Sequence, residues 1–410
     1  MNNDNVIRKK KFAILLCGVL LYFLTCMSKV LIPGTVYNEL LAAGLDTRQI
    51  AGTGAAYMYA YAASQLLAGI FSNRYGGVRI LLTGGLLFAL GTLGFPWIKC
   101  YPLMLVCRIM TGLGAGTVFL GVVKLIGDLF SGKFAMVLGT IMFCSYFGPS
   151  CGTTPMVKLT ELLSWQISMS IPGVIAALGV AVIIAFSAGT IKPVEKGENI
   201  QPLCAMLRNR AMWLVCLSTP VIFGAYYILT SQLGQKSISD HCKLPSSTAS
   251  TVILGLTVLV AVNNVAGNFL LKLCGNRRKA AAIWSFAATL LGTTVGYAAF
   301  RYTNSLWAVA VSYVLIAIPT GFFPIFSLMA KELNPPEQTG LAVAVLNFWC
   351  FVYIAAFQNI SGRILQNYAV TGEQSYPSEA YCGVFIFLTI MNLCALIAAC
   401  FYRETRPKQA

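Results

Sequence analysis

The residues best suited to chemistry are three cations that lie inside apolar runs of this sequence. Lys29 lies past the middle of the run 12–36, and Arg108 and Lys124 lie towards the two ends of the run 102–127. A lysine at the centre of a membrane helix costs about 2.5–3.5 kcal/mol on insertion scales, so it usually faces a water-filled cavity or a partner. Lys29 and Lys124 are therefore predicted to bind a carboxylate, phosphate or sulfonate group.

Each of these cations also has a structural interpretation. Lys29 could bind helix carbonyls near Pro33 or extend to the membrane surface. Lys124 could extend to the nearer surface or pair with Asp128, four residues further along. Arg108 could donate hydrogen bonds to the carbonyls of neighbouring helices, or it could gate a pathway. The residue types leave these alternatives open.

Uncharged polar side chains recur in the same runs. Tyr57, Tyr61 and Gln65 are spaced by four residues, so they share one face of a helix. Tyr226, Asn347 and Gln358 are further candidates to line a cavity, in the second half of the chain. The alternative is that such side chains hold helices together, at about 0.6 kcal/mol each.

Carboxylates and imidazoles are informative because the runs lack them at their centres. All 13 acidic residues fall in tails, loops or helix ends, and the single histidine, His241, falls in a loop. No metal site that needs two imidazoles is possible, and no GxxxxGK[ST] loop for ATP is present, so we expect no metal and no cofactor. Embedded cations without embedded acids favour an anionic or zwitterionic solute and disfavour a cationic one.

The elements that must position these residues are membrane helices. The chain has 410 residues, of which 57% are hydrophobic and 10% are charged, whereas soluble domains carry roughly 25% charged residues. This composition excludes a soluble enzyme and a disordered chain. An enzyme embedded in the membrane would need a catalytic set of histidine or acidic residues, which one loop histidine and scattered acids do not supply.

Twelve apolar runs are long enough to span a bilayer, for which about 20 residues are needed. The sequence therefore predicts an all-α membrane protein with twelve transmembrane helices in two pseudo-symmetric six-helix bundles. The predicted parts are a bundle at 1–190, a linker at 191–209, and a second bundle with a short tail at 210–410. The predicted spans are 12–36, 50–72, 79–98, 102–127, 134–157, 166–190, 210–234, 246–272, 279–300, 304–330, 338–362 and 381–402.

Basic residues predict the orientation of the chain. Most of the 29 lysines and arginines fall in the two tails, in the central linker, and in the loops on the same side of the predicted spans. Cytoplasmic loops carry such an excess, so we expect both termini in the cytoplasm of a multi-pass inner-membrane protein. This placement also explains the net charge of +16 without a nucleic-acid partner.

Three short motifs occur in order along the first half. The loop after the second run matches G-x-L-x-D-R-x-G-R-R in part, and its counterpart in the second half starts at Gly267. Asn73 stands where that motif has an aspartate, so the charge contact that the aspartate would make is not expected here. The matching residues are Gly69, Arg74, Gly76 and the neighbouring Arg79, then Arg108, Gly112, Gly114 and Gly116, and finally Gly148, Pro149 and Gly152.

In its motifs and its repeated halves, the chain resembles the major facilitator superfamily. The resemblance implies gating or structural roles for the motif residues, a monomer, and a site between two halves that alternates in access. Within the superfamily the chain resembles bacterial permeases that include phagosomal nutrient transporters. Lys29 and Lys124 stand at places similar to basic or cavity-lining positions of the organophosphate antiporters. A multidrug or metabolite exporter is the alternative function, supported by the Gly148–Gly152 motif.

Overall fold

A computed structural model describes residues 3–71, 76–130, 133–145, 147–190, 209–273, 277–335, 339–368 and 375–405. Throughout these residues the regular elements are helices, with no strand among them. Arg74, one of the predicted gating residues, lies outside the described residues, and the surroundings of Gly69 are likewise not described. The chain divides into two compact units. Unit 1 comprises 1–31 and 56–199, and unit 2 comprises 32–55 and 200–410.

The helices of the first half include five long ones and several short ones. Before the central segment the described residues form nine α-helices: α1 (Asn3–Val30), α2 (Tyr37–Ala42), α3 (Thr47–Phe71), α4 (Gly77–Gly94), α5 (Tyr101–Leu129), α6 (Phe134–Ser145), α7 (Gly148–Cys151), α8 (Thr154–Leu162) and α9 (Trp165–Ser187).

After the central segment the part of the chain that the structure describes forms eight α-helices: α10 (Arg210–Ser231), α11 (Gly234–Cys242), α12 (Ser246–Leu273), α13 (Arg278–Tyr302), α14 (Leu306–Ala317), α15 (Phe323–Glu332), α16 (Thr339–Gln366) and α17 (Ser378–Cys400). A short 3₁₀ segment, Ile318–Phe322, joins α14 to α15, so the two together have the length of one span.

Ten described helices are long and apolar enough to cross a membrane. Backbone groups in hydrocarbon must be satisfied inside the segment, and an α-helix does this. The all-helical membrane class predicted from composition is confirmed, whereas twelve spans in two six-helix bundles stay a prediction. The ten are Ile7–Thr35, Gly77–Trp97, Tyr101–Leu129, Trp165–Ser187, Arg210–Ser231, Ser246–Asn263, Arg278–Tyr302, Leu306–Glu332, Leu341–Gln366 and Ser378–Cys400.

The first span is broken close to its end. The α-helix ends at Val30, and Ile32 has extended dihedrals (φ −126°, ψ 122°). The break coincides with the boundary between the two units, which falls after Leu31. It also places Lys29 in the last turn of α1.

Glycines let the helices of unit 1 approach closely. A Cβ added at Gly114 would lie 2.6 Å from the carbonyl oxygen of Gly84 and would also overlap the backbone nitrogen of Phe88. A Cβ at Gly112 would overlap the carbonyl oxygen of Tyr57. Hence α5 packs backbone to backbone against both α4 and α3, which small residues permit in a membrane.

We expect Gly114→Val to destabilise the protein by about 1–3 kcal/mol, because a side chain at this position must push α4 away from α5. Thermal unfolding of the purified protein in detergent would measure the change. Gly139→Val is the matched control, because a Cβ at Gly139 on α6 meets nothing within 4 Å. Equal melting temperatures for the two variants would contradict the close packing.

Candidate functional site

Unit 1 holds two cations against a pair of tyrosine rings. The Nζ of Lys29 lies 4.6 Å from the ring centroid of Tyr61, and the guanidinium carbon of Arg108 lies 4.7 Å from that of Tyr57. The two tyrosine rings stack on each other at 6.2 Å between centroids. We call these four residues the cation–tyrosine stack. All four are buried, and they include two positive charges and no carboxylate.

The positions of the two cations in their helices make this arrangement possible. Lys29 lies in the last turn of α1, where the helix dipole gives the helix end a partial negative charge that favours a cation. Arg108 lies in α5, and its guanidinium also lies 5.8 Å from the ring centroid of Phe95. A planar guanidinium stacks well on aromatic faces. Burial of both cations is thus offset by aromatic and backbone groups of unit 1.

Hydrogen bonds fix the tyrosine rings. The hydroxyl of Tyr57 donates to the carbonyl oxygen of Thr25 at 3.1 Å, and the hydroxyl of Thr25 donates to the carbonyl oxygen of Tyr22 at 2.7 Å. Tyr57 is fully buried and is among the largest such side chains. The face of α3 predicted from its spacing of four is therefore anchored to α1, the helix that carries Lys29.

Gln65 lies one turn beyond Tyr61 on α3, and it offers an unused donor. Its side chain is 8% exposed, and its Nε2 has no hydrogen-bond partner among the described residues. A buried amide without a partner costs free energy. Gln65 is therefore suited to donate a hydrogen bond to a bound molecule.

Unit 2 contains a separate network of buried amides and hydroxyls. The Nε2 of Gln358 donates to the hydroxyl of Ser231 at 2.8 Å, and the Nε2 of Gln232 donates to the carbonyl oxygen of Gln358 at 3.1 Å. The hydroxyl of Ser361 donates to the Oε1 of Gln232 at 3.2 Å. The Oε1 of Gln358 has no partner among the described residues, so it remains a buried acceptor.

The other two residues predicted in this half lie on the same helices as that network. Tyr226, on α10, is buried, and its ring makes an edge contact with that of Tyr227 at 5.3 Å. Asn347 is half-buried on α16, three turns before Gln358. The structure thus groups Tyr226, Asn347 and Gln358 on α10 and α16 of unit 2.

Segment 32–55 also belongs to unit 2 and packs on these helices. A Cβ at Gly54 would lie 3.0 Å from the Oε1 of Gln358, and a Cβ at Gly34 would lie 3.0 Å from the carbonyl oxygen of Ser231. A Cβ at Gly362 would overlap Ala51. The chain therefore passes from unit 1 to unit 2 at the break in α1, and returns to unit 1 within α3.

Comparison with known proteins identifies the family. The family model described as Major Facilitator Superfamily matches residues 16–357, which include most of both units. The chain belongs to the Major Facilitator Superfamily. The family and the fold indicate a membrane transporter rather than an enzyme. The resemblance inferred from the motifs is thereby confirmed at the level of the superfamily, whereas its bacterial permease branch stays a prediction.

Solved structures support the same fold. A bacterial homologue of the human lysosomal transporter Spinster, in an inward-facing and unoccupied conformation, is 14% identical with a TM-score of 0.78. That match covers 98% of this chain and 99% of the other. At this identity the likeness concerns the fold alone.

Curated relatives are transporters with different named solutes, and the chain matches less than half the length of each. The 4-hydroxybenzoate transporter PcaK of Pseudomonas aeruginosa is 27% identical over 35% of this chain and 32% of its own. The choline/ethanolamine transporter flvcr2a of Danio rerio is 24% identical over 53% and 43%. A probable chloroplastic anion transporter 3 of Arabidopsis thaliana is 25% identical over 43% and 39%.

The superfamily motif in the fifth predicted span positions the helix that carries Lys29. A Cβ at Gly148 would lie 2.7 Å from the carbonyl oxygen of Phe23, and a Cβ at Gly152 would lie 3.0 Å from that of Met27. Pro149 lies in the first turn of α7, where a missing N–H costs nothing. This glycine pair therefore brings the chain close to α1 within the two turns before Lys29.

The described part of the loop motif shapes the start of α4. The carbonyl oxygen of Gly76 accepts hydrogen bonds from the backbone N–H groups of Arg79 and Ile80, at 3.1 and 3.2 Å. Gly76 is thus the residue from which α4 begins, and Arg79 lies in its first turn. Their predicted gating role stays a prediction.

Lys124 lies far along α5 from the cation–tyrosine stack. Sixteen residues separate it from Arg108, which corresponds to roughly 24 Å along a helix. Lys124 is half-buried and packs under Gly77, where an added Cβ would lie 3.0 Å from the Cβ of Lys124. Arg108, predicted to be structural or gating, is thus the second cation of the stack, and the predicted solute-binding role of Lys124 stays a prediction.

A buried ion pair in unit 2 was missed because it lies in a segment predicted to be a loop. Lys236 and Asp240 lie on α11, and their Nζ and Oδ1 atoms are 2.8 Å apart. The Oδ2 of Asp240 accepts from the backbone N–H of Tyr376 at 2.9 Å and from the hydroxyl of Tyr381 at 2.6 Å. The spacing of four residues between a lysine and an acid was the signal in the sequence.

The groups around this pair are held away from water as well. The hydroxyl of Tyr376 hydrogen-bonds that of Thr47, and burial raises the pKa of the Tyr376 hydroxyl. His241 shares a hydrogen bond of 2.7 Å with Ser378, and burial lowers the pKa of its imidazole. Contrary to the loop predicted for His241, it lies in α11 and is buried. Because Asp240 on α11 accepts hydrogen bonds from Tyr381 on α17 and from Tyr376 just before that helix, it ties α11 to both.

We expect Asp240→Ala to destabilise the protein by about 3–5 kcal/mol, because it removes one partner of a buried ion pair and leaves the other charge, on Lys236, without this carboxylate. The double variant Lys236→Met/Asp240→Leu should recover most of that loss, since it removes both charges. Thermal unfolding would compare them. Glu379→Ala is the control, because its pair with Arg301 at 3.8 Å is exposed and such pairs contribute about 0–1 kcal/mol. Similar losses for Asp240→Ala and Glu379→Ala would contradict the buried pair.

Proposed function

We propose that this protein is a secondary active transporter that moves a small anionic or zwitterionic organic solute across the inner membrane by alternating access. The observation that carries the proposal is the cation–tyrosine stack, in which Lys29 and Arg108 are buried against Tyr61 and Tyr57. The solute's anionic group would bind at the stack. Uptake or exchange is the expected direction.

Charge decides the class of solute. Two unit charges 4 Å apart interact by about 4 kcal/mol at an effective dielectric constant of 20, so an anion at the stack gains what a cation would lose. Within the ten described spans the acids Asp128, Glu332 and Glu379 lie in the first or last turn. An anion is therefore the charged group that these spans favour away from their first and last turns.

The polar remainder of the solute would be recognised by uncharged groups. The unused Nε2 donor of Gln65 lies on α3 one turn beyond Tyr61, so it is suited to an acceptor on a solute held at Lys29. Tyr226, Asn347 and Gln358 are the corresponding candidates in unit 2. Lys124 is proposed as a further basic contact for a solute on its path.

The relatives' names support an anion without deciding the matter. One relative is named for 4-hydroxybenzoate and one as a probable anion transporter. A third is named for choline and ethanolamine, and this favours the second candidate function, a metabolite or drug exporter that accepts cations. Such a site would need a carboxylate within reach of the solute.

We expect a carboxylate, phosphate ester, sulfonate or amino acid to stabilise the purified wild-type protein, by about 2.7 kcal/mol at 100 times its dissociation constant. Lys29→Gln should weaken that binding at least about tenfold, which is 1.4 kcal/mol, because the charge is lost while the size is kept. The measurement is thermal unfolding against a library that also contains nucleosides and cationic dyes.

Lys158→Gln is the matched control, since Lys158 is an exposed lysine of unit 1. Arg108→Gln should act like Lys29→Gln if both cations bind the solute. Stabilisation by cationic dyes alone, or equal responses of Lys29→Gln and Lys158→Gln, would replace the anion transporter by the exporter. Counterflow of the stabilising solute in proteoliposomes would then show that binding belongs to transport.

A further inference from the structure

Unit 2 has a cavity at the end of the spans where α10 begins. Its volume is about 450 Å³. Two guanidiniums line it, Arg210 from the start of α10 and Arg403 from the segment after α17. Apolar walls come from Leu214, Leu333 and Phe401. The cavity thus combines two positive charges with hydrocarbon surface at the boundary of the spans.

Unit 1 has a similar cavity at the corresponding place in its own chain order. This cavity lies between the start of α1 and the end of α5. The unit 2 cavity likewise lies between the start of α10, the first long helix of that unit, and the end of α15. The volume of the unit 1 cavity is about 370 Å³, and it is lined by Arg8, Lys9 and Phe12 from α1, and by Leu129 and Phe130 at the end of α5. Two basic side chains beside a phenylalanine therefore occur at this place in each unit.

Neighbouring acids in unit 2 are engaged by other groups. Glu332 pairs with Arg278 at 3.0 Å, and Glu404 accepts from the backbone N–H groups of Arg278 and Lys279 at 2.7 and 3.3 Å. Arg210 and Arg403 have no ion pair among the residues that the structure describes. Their charges are thus available to an anion from outside the chain.

The same division of roles occurs in unit 1. Asp128 pairs with Lys11 at 3.6 Å, and Lys10 donates to the carbonyl oxygen of Ala188 at 3.2 Å. Arg8 and Lys9, one turn earlier on α1, have no ion pair within the described part of the chain. In each unit an acid at a helix end, Asp128 or Glu332, is thus paired with a basic residue. Two other basic side chains of the same unit line the cavity.

The charge of the unit 2 cavity comes from side chains rather than from the helix end. The Oδ1 of Asn209 already accepts from two N–H groups in the first turn of α10, those of Ala211 and Met212. Its Nδ2 donates to the carbonyl oxygen of Leu333 at 2.8 Å, which ties α10 to the end of α15. The start of α10 is therefore capped by a side chain of the protein itself, and the positive charge of the cavity comes from Arg210 and Arg403.

We propose that each cavity binds the phosphate group of an acidic phospholipid. Arginine side chains bind phosphate oxygens with charge-assisted hydrogen bonds, and basic pockets at the ends of spans are suited to acidic headgroups. A lipid fits better than a soluble phosphate because large apolar side chains beside the cations are exposed. Phe401 is 70% exposed and Phe12 is 46% exposed, and both would contact acyl chains or glycerol carbons.

The test is native mass spectrometry of the full-length protein titrated with phosphatidylglycerol. We expect retained phosphatidylglycerol on the wild type and little retention of phosphatidylcholine with the same acyl chains. The double variant Arg210→Gln/Arg403→Gln should bind phosphatidylglycerol at least tenfold more weakly at the unit 2 cavity. Arg8→Gln/Lys9→Gln should do the same for the unit 1 cavity, and the two sets together should abolish selective retention.

Arg48→Gln/Arg301→Gln is the matched control. It removes the same charge from unit 2 at the opposite end of the spans, where α3 begins and α13 ends. Lys29→Gln should leave lipid retention unchanged, so failure of the lipid proposal is separable from failure of the solute proposal. Each variant's melting temperature without added lipid shows that it folds, and Arg403→Lys keeps the charge and should retain binding.

Two results would overturn the proposal. Equal retention of phosphatidylglycerol by the wild type and the cavity variants would show that the cavities do not bind it. Stabilisation by glycerol phosphate or inorganic phosphate as large as that by phosphatidylglycerol would show that the occupant is a soluble phosphate rather than a lipid.

Discussion

The absence of water from the membrane interior is the constraint on which the rest of this structure depends. Every backbone group in hydrocarbon must be paired within its own segment, so the spans are helical. Helices in lipid gain little from the hydrophobic effect when they associate, and close packing has to hold them together. The glycines of α5 meet this need, because Gly112 and Gly114 let its backbone lie against α3 and α4. The superfamily motif in α5 is thus a packing motif first, and it carries Arg108 to a buried position.

The same constraint decides where a charge can be placed. Lys29 is in the last turn of α1, just before the break at Ile32, where the helix dipole favours a cation. Aromatic rings then cover its ammonium group and the guanidinium of Arg108. Cation–π contacts are worth about 2 kcal/mol or more when desolvated, so the tyrosines reduce the cost of both burials. A site that keeps two cations dry in this way is prepared for an anion.

Sequence reasoning succeeded where a property depends on one helix alone. Composition predicted the spans, and the spacing of Tyr57 and Tyr61 predicted a shared face, which the stacked rings show. Properties that depend on contacts between helices were predicted less well. The ring that Arg108 covers is on α3, and nothing in the run around Arg108 indicates that ring. Lys236 and Asp240 look like two loop charges, because their burial comes from Tyr376 and Tyr381, more than 130 residues away.

Charged residues of this chain fall into three groups according to their position relative to the spans. These groups describe where the net charge of +16 is used. Two cations within the spans, Lys29 and Arg108, are covered by tyrosine rings. The buried pair of Lys236 and Asp240 lies outside the described spans and joins elements of unit 2. At the ends of the spans, Asp128 and Glu332 are paired with Lys11 and Arg278, which leaves a surplus of cations beside them. The cations at the ends of the spans are the ones we propose for lipid headgroups, and the cation pair within the spans is the one we propose for a solute that enters the protein, so the two proposals assign different anions to the two sets.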